Sequence, residues 1–466
     1  MASRGARTRR PVAAWLIAIA CLAGCSASVP TTIPGAEASP LTSIAAPAAP
    51  SAPAVSATAA APAIGSPEPS PAAIPAVPVV ATKAPAPSQA PAPTQPSTPV
   101  PTAAPPGDPQ APAGQGKEVL GFFLPGQMDY VLHTSDLSVL STIAFFGISA
   151  NKTGSLHRTS HGTVTDWRWK AWTGSKMSQI IAKAHAAGTK VVLTVTRFSW
   201  TSNTYDTTVQ MLSSSANRAR LARETAQAVV DRGVDGVNVD FEPIPISQKE
   251  NFVDFVRRLR TELDSRKRGL ELTVDSTGFI ANYDVAGLTA RGAADAIFIM
   301  AYHYTGSWST HAGSVSPLHR SSYDVTDTVN TFLRYTTPDK IMLGLPYYGN
   351  TWATYTDKLG SRTRPAGSQY GFPGSVVYST AVGIAAAHGV LWDDVEKVPW
   401  TRWQARACST CPLSWHQLYY EDAQSLKLKH ELVIADGLRG TGIWTLGFGG
   451  AGPELNNELR SSFGSH

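Results

Sequence analysis

Asp235-Gly-Val-Asn-Val-Asp-Phe-Glu242 is the stretch from which the rest of the chain can be read. On an extended strand, alternate side chains point to opposite faces. Val237, Val239 and Phe241 therefore share one face, and Asn238, Asp240 and Glu242 share the other. A helical pattern from Asn217 to Asp231, closed by Gly233, leads directly into it. In a closed barrel the apolar set packs under such helices. The polar set then lines the interior and rises toward the C-terminal mouth, with Glu242 uppermost.

Working outward, seven further apolar runs have the same character. Glu118–Leu124, Thr142–Ile148 and Lys190–Val195 precede Gly236–Phe241, and Leu270–Val274, Ala296–Tyr302, Lys340–Leu345 and Thr441–Leu446 follow it. Helical patterns such as Met177–Ala187 and Gln248–Arg266 separate them. Near-continuous apolar strands alternating with amphipathic helices mean a parallel sheet covered by helices. Eight such units predict an α/β fold, a closed (β/α)₈ barrel. A doubly wound open sheet is the competitor, but Leu124-Pro-Gly126 after the first strand is not a glycine-rich phosphate loop. Residues 347–425, with strand-like pieces at Val376–Tyr378 and Gly389–Trp392, read as a small α+β insertion between the seventh and eighth strands.

Stacked interior acids are costly to bury unless protonated, hydrogen-bonded or paired, and like charges in proximity push one pKa upward. A carboxylic acid kept protonated near neutral pH is what a general acid for a sugar leaving group requires. From the strand alone, the competing reading is a solvated strand end whose acids pair with basic residues.

Further motifs bear on that choice. The string Asp235–Glu242 resembles the DGxDxDxE signature of family 18 glycoside hydrolases, the chitinases and related N-acetylglucosaminidases. Met300-Ala-Tyr302 resembles that family's Met-x-Tyr motif, and Gly344-Leu-Pro-Tyr-Tyr-Gly349 its seventh-strand segment. Tyr420-Glu-Asp422 with Ser425 and Lys429, then Gly442-Ile-Trp444, resemble its closing segment. The resemblance implies a retaining hydrolase of β-linked N-acetylglucosamine polymers, chitin or peptidoglycan glycan, in which the substrate's own acetamide is the nucleophile. By the same resemblance Glu242 is the acid, Asp240 steadies the acetamide nitrogen and Tyr302 binds its oxygen. Trp444 forms the sugar's apolar floor, and Asn238, Met300, His303 and Tyr347 are placed among the substrate-binding residues.

Departures from the pattern are also visible. Asn238 stands where the middle aspartate is usual, so the partner beneath Asp240 is neutral and the pKa of Asp240 should lie below that of a two-aspartate site. Thr194-Val-Thr-Arg-Phe-Ser199 replaces the family's Ser-x-Gly-Gly, and His303 stands where Asp or Asn is usual. These changes resemble the branch of bacterial cell-wall and spore-cortex N-acetylglucosaminidases. The alternatives are a catalytically silent, lectin-like carbohydrate-binding barrel and a surface scaffold. Retention of Asp240 and Glu242 speaks against the first.

The ends of the chain supply a location. Arg4, Arg7, Arg9 and Arg10 precede the apolar Val12–Leu22, so residues 1–24 read as an export signal. Leu22-Ala-Gly-Cys25 resembles a lipobox, which makes Cys25 the expected lipid attachment site and the protein an exported, surface-anchored lipoprotein, with plain secretion as the alternative. Residues 25–116 then form a Pro/Ala/Ser/Thr-rich linker, too poor in apolar bulk to order itself. The catalytic barrel spans 117–466. Loss of the four arginines takes the formal charge from +5 to +1, so neither nucleic acid nor an anionic membrane is an expected partner. The expected contacts are a 2-acetamido sugar polymer and, through the lipid alone, a membrane; a monomer is expected. Cys408 and Cys411 read as a loop disulfide because export favours oxidation, with a redox pair or half a zinc site as alternatives. His133, His157, His161 and His185 are scattered, and no metal or other cofactor is expected.

Overall fold

The computed structural model describes residues 116–465 except positions 161 and 163. The expected export signal, the acylated Cys25 and the linker up to residue 115 lie outside the described residues. The strands that position the site are, in chain order, β1 (Glu118–Phe123), β2 (Thr142–Ser149), β3 (Lys190–Phe198), β4 (Gly236–Glu242), β5 (Glu271–Thr277), β6 (Ala296–Met300) and β7 (Ile341–Pro346). Then come β8 (Tyr348–Thr354), β9 (Gly374–Val377), β10 (Leu391–Asp393), β11 (Val398–Ala405), β12 (Ser414–Tyr419) and β13 (Gly440–Trp444).

Eight of them close into a parallel barrel in the order β1-β13-β7-β6-β5-β4-β3-β2, as the alternation of strand and helix patterns predicts. The insertion is also present. It is an antiparallel sheet in the order β9-β8-β12-β11-β10, accompanied by the helix Tyr378–His388. Its last strand ends at Tyr419, and the helix Ala423–Ala435 that follows packs on β13. The insertion thus closes a few residues before the expected 425.

Two apolar layers hold the barrel. Outward-facing residues such as Leu193, Val237, Val239, Phe241, Leu272, Val274, Ile299 and Leu343 pack with the helices. Inward-facing Leu120, Phe122, Val192, Phe298, Met300 and Met342 form a separate interior cluster. The Phe298 ring lies across the barrel, and a Cβ at Gly344 or Gly442 would run into it. Glycine on β7 and β13 is therefore what admits this plug, and a plugged barrel leaves only its mouth open to a ligand.

β4 is anchored at its start and along its outer face. The helix Ser215–Arg232 is capped by Ser214, whose hydroxyl accepts from the Asn217 N–H, and ends at Gly233 with φ 65°. That left-handed turn suits glycine, which has no Cβ to clash, and it returns the chain into β4. Phe241 then stacks on Phe252 and Phe255 of the helix Lys249–Arg266, with ring centroids 5.4 and 5.6 Å away. Truncating such a buried ring typically costs about 3–5 kcal/mol, so this contact locks the register that sends Asp240 and Glu242 inward.

Candidate active site

On the inner face of β4, Asn238 is fully buried, Asp240 is 1 % exposed and Glu242 is half-buried at the C-terminal end. The carboxyls of Asp240 and Glu242 lie within hydrogen-bonding reach of each other, so a proton held between them couples the two. Burial raises the pKa of both. The hydrogen bond lowers that of Asp240 and raises that of Glu242, and the charge of Asp240 raises Glu242 further. Asp240, raised to about 7, therefore gives up its proton first, and Glu242 keeps its proton to higher pH. No cation is among the causes that shift either group, so the pair is not the solvated, base-paired strand end that remained the competing reading.

Beneath them, the Asn238 amide donates to Thr273 Oγ1 at 3.0 Å and to Asp275 Oδ1 at 2.6 Å, both on β5. Asp275 is 2 % exposed, and burial together with the charge of Asp240 holds its carboxyl well above the usual carboxylate range. The neutral Asn238 thus does not leave Asp240 as the lone deep acid.

The remaining wall is aromatic. Met300 ends β6, and Tyr302 follows it inside the mouth; both belong to the interior cluster. Burial, the neighbouring Tyr348 and the three carboxyls hold the Tyr302 phenol well above its ordinary range, so it remains an O–H donor. Trp444 closes the other side, its ring 4.6 Å from Phe146 and 5.7 Å from Phe122. His303 has φ 65°, and its ring centroid is 5.8 Å from Tyr348 and 6.3 Å from Trp308. Burial pushes its imidazole down to about 4, so the ring is neutral at physiological pH.

Glu242, Asp240, Asn238, Met300, Tyr302, His303 and Trp444 therefore come together at one mouth. Tyr347, expected among the substrate-binding residues, does not join them. It is 4 % exposed in the layer between barrel and helices, and Tyr348 takes the inward place. The reason is parity: Met342, Gly344, Pro346 and Tyr348 alternate inward, so Tyr347 shares its side with Leu343 and Leu345. Cys408 and Cys411 form a disulfide in the loop between β11 and β12, apart from the site. Sequence reading missed Asp275 and Tyr348. The signal for both was the same two-residue alternation, carried past the expected strand ends, one step from Thr273 to Asp275 and two steps from Gly344 through Pro346 to Tyr348.

Residues 117–449 match the family model described as glycosyl hydrolases family 18. Among curated proteins, the chain is 26 % identical over 248 residues to a putative sporulation-specific glycosylase, YdhD, of Bacillus subtilis, covering 51 % of this chain and 54 % of that protein. It is 28 % identical over 195 residues to chitinase 1 of Aphanocladium album, covering 38 % and 45 %. The chain spans about half the length of these curated relatives. Among solved structures, a chitinase of Cycas revoluta in complex with (GlcNAc)3 superposes with TM-score 0.62 at 18 % identity, over 74 % of this chain and 99 % of that one. The Bacillus cereus spore cortex-lytic enzyme SleL superposes with TM-score 0.59 at 18 % identity, over 75 % of each. At that identity the two structures speak for the fold.

Proposed function

The chain belongs to the glycosyl hydrolases of family 18, and from that premise we propose that it cleaves β-linked N-acetylglucosamine polymers, chitin or peptidoglycan glycan, with retention, using the substrate's acetamide as nucleophile. The observation that carries this reading is the buried carboxyl pair at the end of β4, in which Glu242 keeps its proton to higher pH than its partner Asp240. Among the carboxyls on this inner wall only Glu242 reaches the mouth, while Asp240 and Asp275 are buried below it. A retaining reaction needs a nucleophile, and the acetamide oxygen supplies one where no second carboxylate stands at the surface.

In the proposed first step the acetamide oxygen bonds to the anomeric carbon, the glycosidic C–O bond breaks, and the Glu242 proton passes to the departing oxygen. Asp240 accepts the acetamide N–H and faces the positive charge that develops there. Tyr302 donates to the acetamide oxygen, and Trp444 supports the apolar face of the ring. In the second step Glu242, now a carboxylate, takes a proton from water as that water attacks the anomeric carbon and reopens the ring. Proton NMR of the first product should show retention, and polymers of unsubstituted glucose should resist cleavage. Inversion, or comparable cleavage of a glucan, would remove the acetamide from the mechanism.

For location we propose that the enzyme works outside the cytoplasm on a lipid attached at Cys25, a reading supported by Leu22-Ala-Gly-Cys25 following an apolar segment. Cys25→Ser should move the protein from the membrane fraction to the soluble one. Mass spectrometry that finds an unmodified N-terminus elsewhere would refute the anchor.

A further inference from the structure

Asp275 enters this site from a different strand. The β4–β5 register pairs Asn238 with Thr273 and Val239 with Val274, so one further step sets Asp275 beside Asp240. Its Oδ1 takes one hydrogen of the Asn238 amide and Thr273 takes the other. With both hydrogens committed to β5, Asn238 has only its oxygen left for the acids above it. That oxygen and Asp240 Oδ1 are both buried without a hydrogen-bond partner. A buried acceptor that lacks a donor is costly, and at Asp240 that cost favours the protonated carboxyl and holds its pKa up.

We propose that Asp275 is a positioning residue for this reaction: it holds the Asn238 amide by the 2.6 Å hydrogen bond beneath the acid pair, and from β5 it supplies the second aspartate that β4 lacks. The proposal rests on the hydrolase reading above. The titratable groups that face Asp275 are Asp240 and Glu242 on β4, Tyr302 beyond β6, and Tyr283 beyond β5, whose hydroxyl donates to the Phe241 carbonyl at 3.1 Å. No lysine, arginine or histidine is among the causes that shift the three carboxyls.

The consequence has a definite sign. The charge of Asp240 raises Asp275, so Asp275 releases its proton after Asp240. The resulting charge raises Glu242 and keeps it an acid to higher pH. Removing that charge must therefore weaken the alkaline side of the activity profile. The acid side, which follows ionisation of Asp240, stays in place.

The test measures kcat/KM against pH on a fluorogenic chitotrioside with the full chain, its Asp275→Asn variant and the double swap Asn238→Asp/Asp275→Asn. Asn at 275 can still accept from Asn238, so the hydrogen bond survives while the charge is lost. The alkaline limb of Asp275→Asn should move toward acid by about one pH unit or more, the scale of a like charge at close range. The double swap, which returns the carboxyl to β4, should restore the wild-type limb. An unmoved alkaline limb in Asp275→Asn overturns the proposal and leaves the hydrolase reading intact. Should Asp275→Asn not fold, the double swap decides alone: a limb matching wild type supports the proposal, and one displaced by a unit or more overturns it. If the wild-type chain does not cleave, the hydrolase reading fails separately. Difference infrared spectroscopy of the Glu242 carboxyl band, assigned by its loss in Glu242→Gln, then decides on Asp275. An acidward midpoint in Asp275→Asn supports the coupling, and an unchanged midpoint overturns it.

Discussion

Two of the regions that bury carboxyl groups in this molecule compensate the burial in opposite ways. At the barrel mouth Asp240, Asp275 and Glu242 share one wall with no cation among the groups that shift them. Where the insertion returns to the barrel, Glu421 is 2 % exposed and its Oε2 accepts from Lys429 Nζ at 2.6 Å and Ser425 Oγ at 2.7 Å. Burial raises the carboxyl in both regions, but only at Glu421 does an ammonium oppose it. An ion pair fixes a carboxylate in its charged state, which serves structure. A cluster with no cation holds protons instead, and a proton can be handed to a substrate. The presence or absence of the cation separates a buried acid that holds the fold from one that can do chemistry.

Breaking the two regions in turn sharpens the contrast. The largest effect should come from Glu242→Gln, with kcat falling by roughly 10²–10⁴-fold, the usual scale of general-acid contributions. Because Glu242 is protonated in the folded state, an amide of the same shape should leave stability within about 1 kcal/mol. Turnover and urea unfolding on the same sample check both halves. Wild-type turnover would refute the acid, and a large loss of stability would refute the contrast. Lys429→Met should do the reverse. It leaves Glu421 buried and unpaired, which typically destabilises by about 3–5 kcal/mol, while turnover per folded molecule stays at the wild-type level. A destabilisation below about 1 kcal/mol would show that Glu421 tolerates burial by protonation, as the mouth acids do.

Much of this was legible before any coordinates, because strand and helix periodicities are local. The alternation in Asp235–Glu242 sorted the two faces of β4, and the helical stretch closed by Gly233 marked where that strand begins. The insertion was legible only as extra length with two strand-like pieces, since its antiparallel pairing joins residues far apart in the sequence, such as Tyr348 with Val377. The site fared unequally for the same reason. Residues within motifs converged on the mouth, but Tyr347 was read from its motif when parity pointed to Tyr348. Asp275 belongs to no motif. Its meaning arises only when β5 is laid beside β4, and register between strands is a property of the closed barrel.

The smallest expected effect tests whether a half-buried titratable group at the mouth must take part in proton handling. His303 is such a group, yet burial pushes its imidazole down to about 4. It is therefore neutral where the acid pair works, and it carries no charge toward a cationic intermediate. A neutral imidazole still offers one donor and one acceptor, so under the proposed function its expected contribution is shape and a single hydrogen bond to the sugar. Its backbone sets the choice of variant. The φ of 65° is the left-handed region, which Asn tolerates better than other non-glycine residues, whereas a β-branched residue there is strained. His303→Asn should accordingly fold normally. Losing one neutral hydrogen bond is worth about 0.5–1.5 kcal/mol, so KM should rise by roughly 2–12-fold while kcat stays within about threefold. Both pH limbs should stay in place, since no proton of His303 is gained or lost between them. A hundredfold fall in kcat, or a shift of either limb, would make His303 part of the proton-bearing cluster and would break the division between neutral wall and acid ladder.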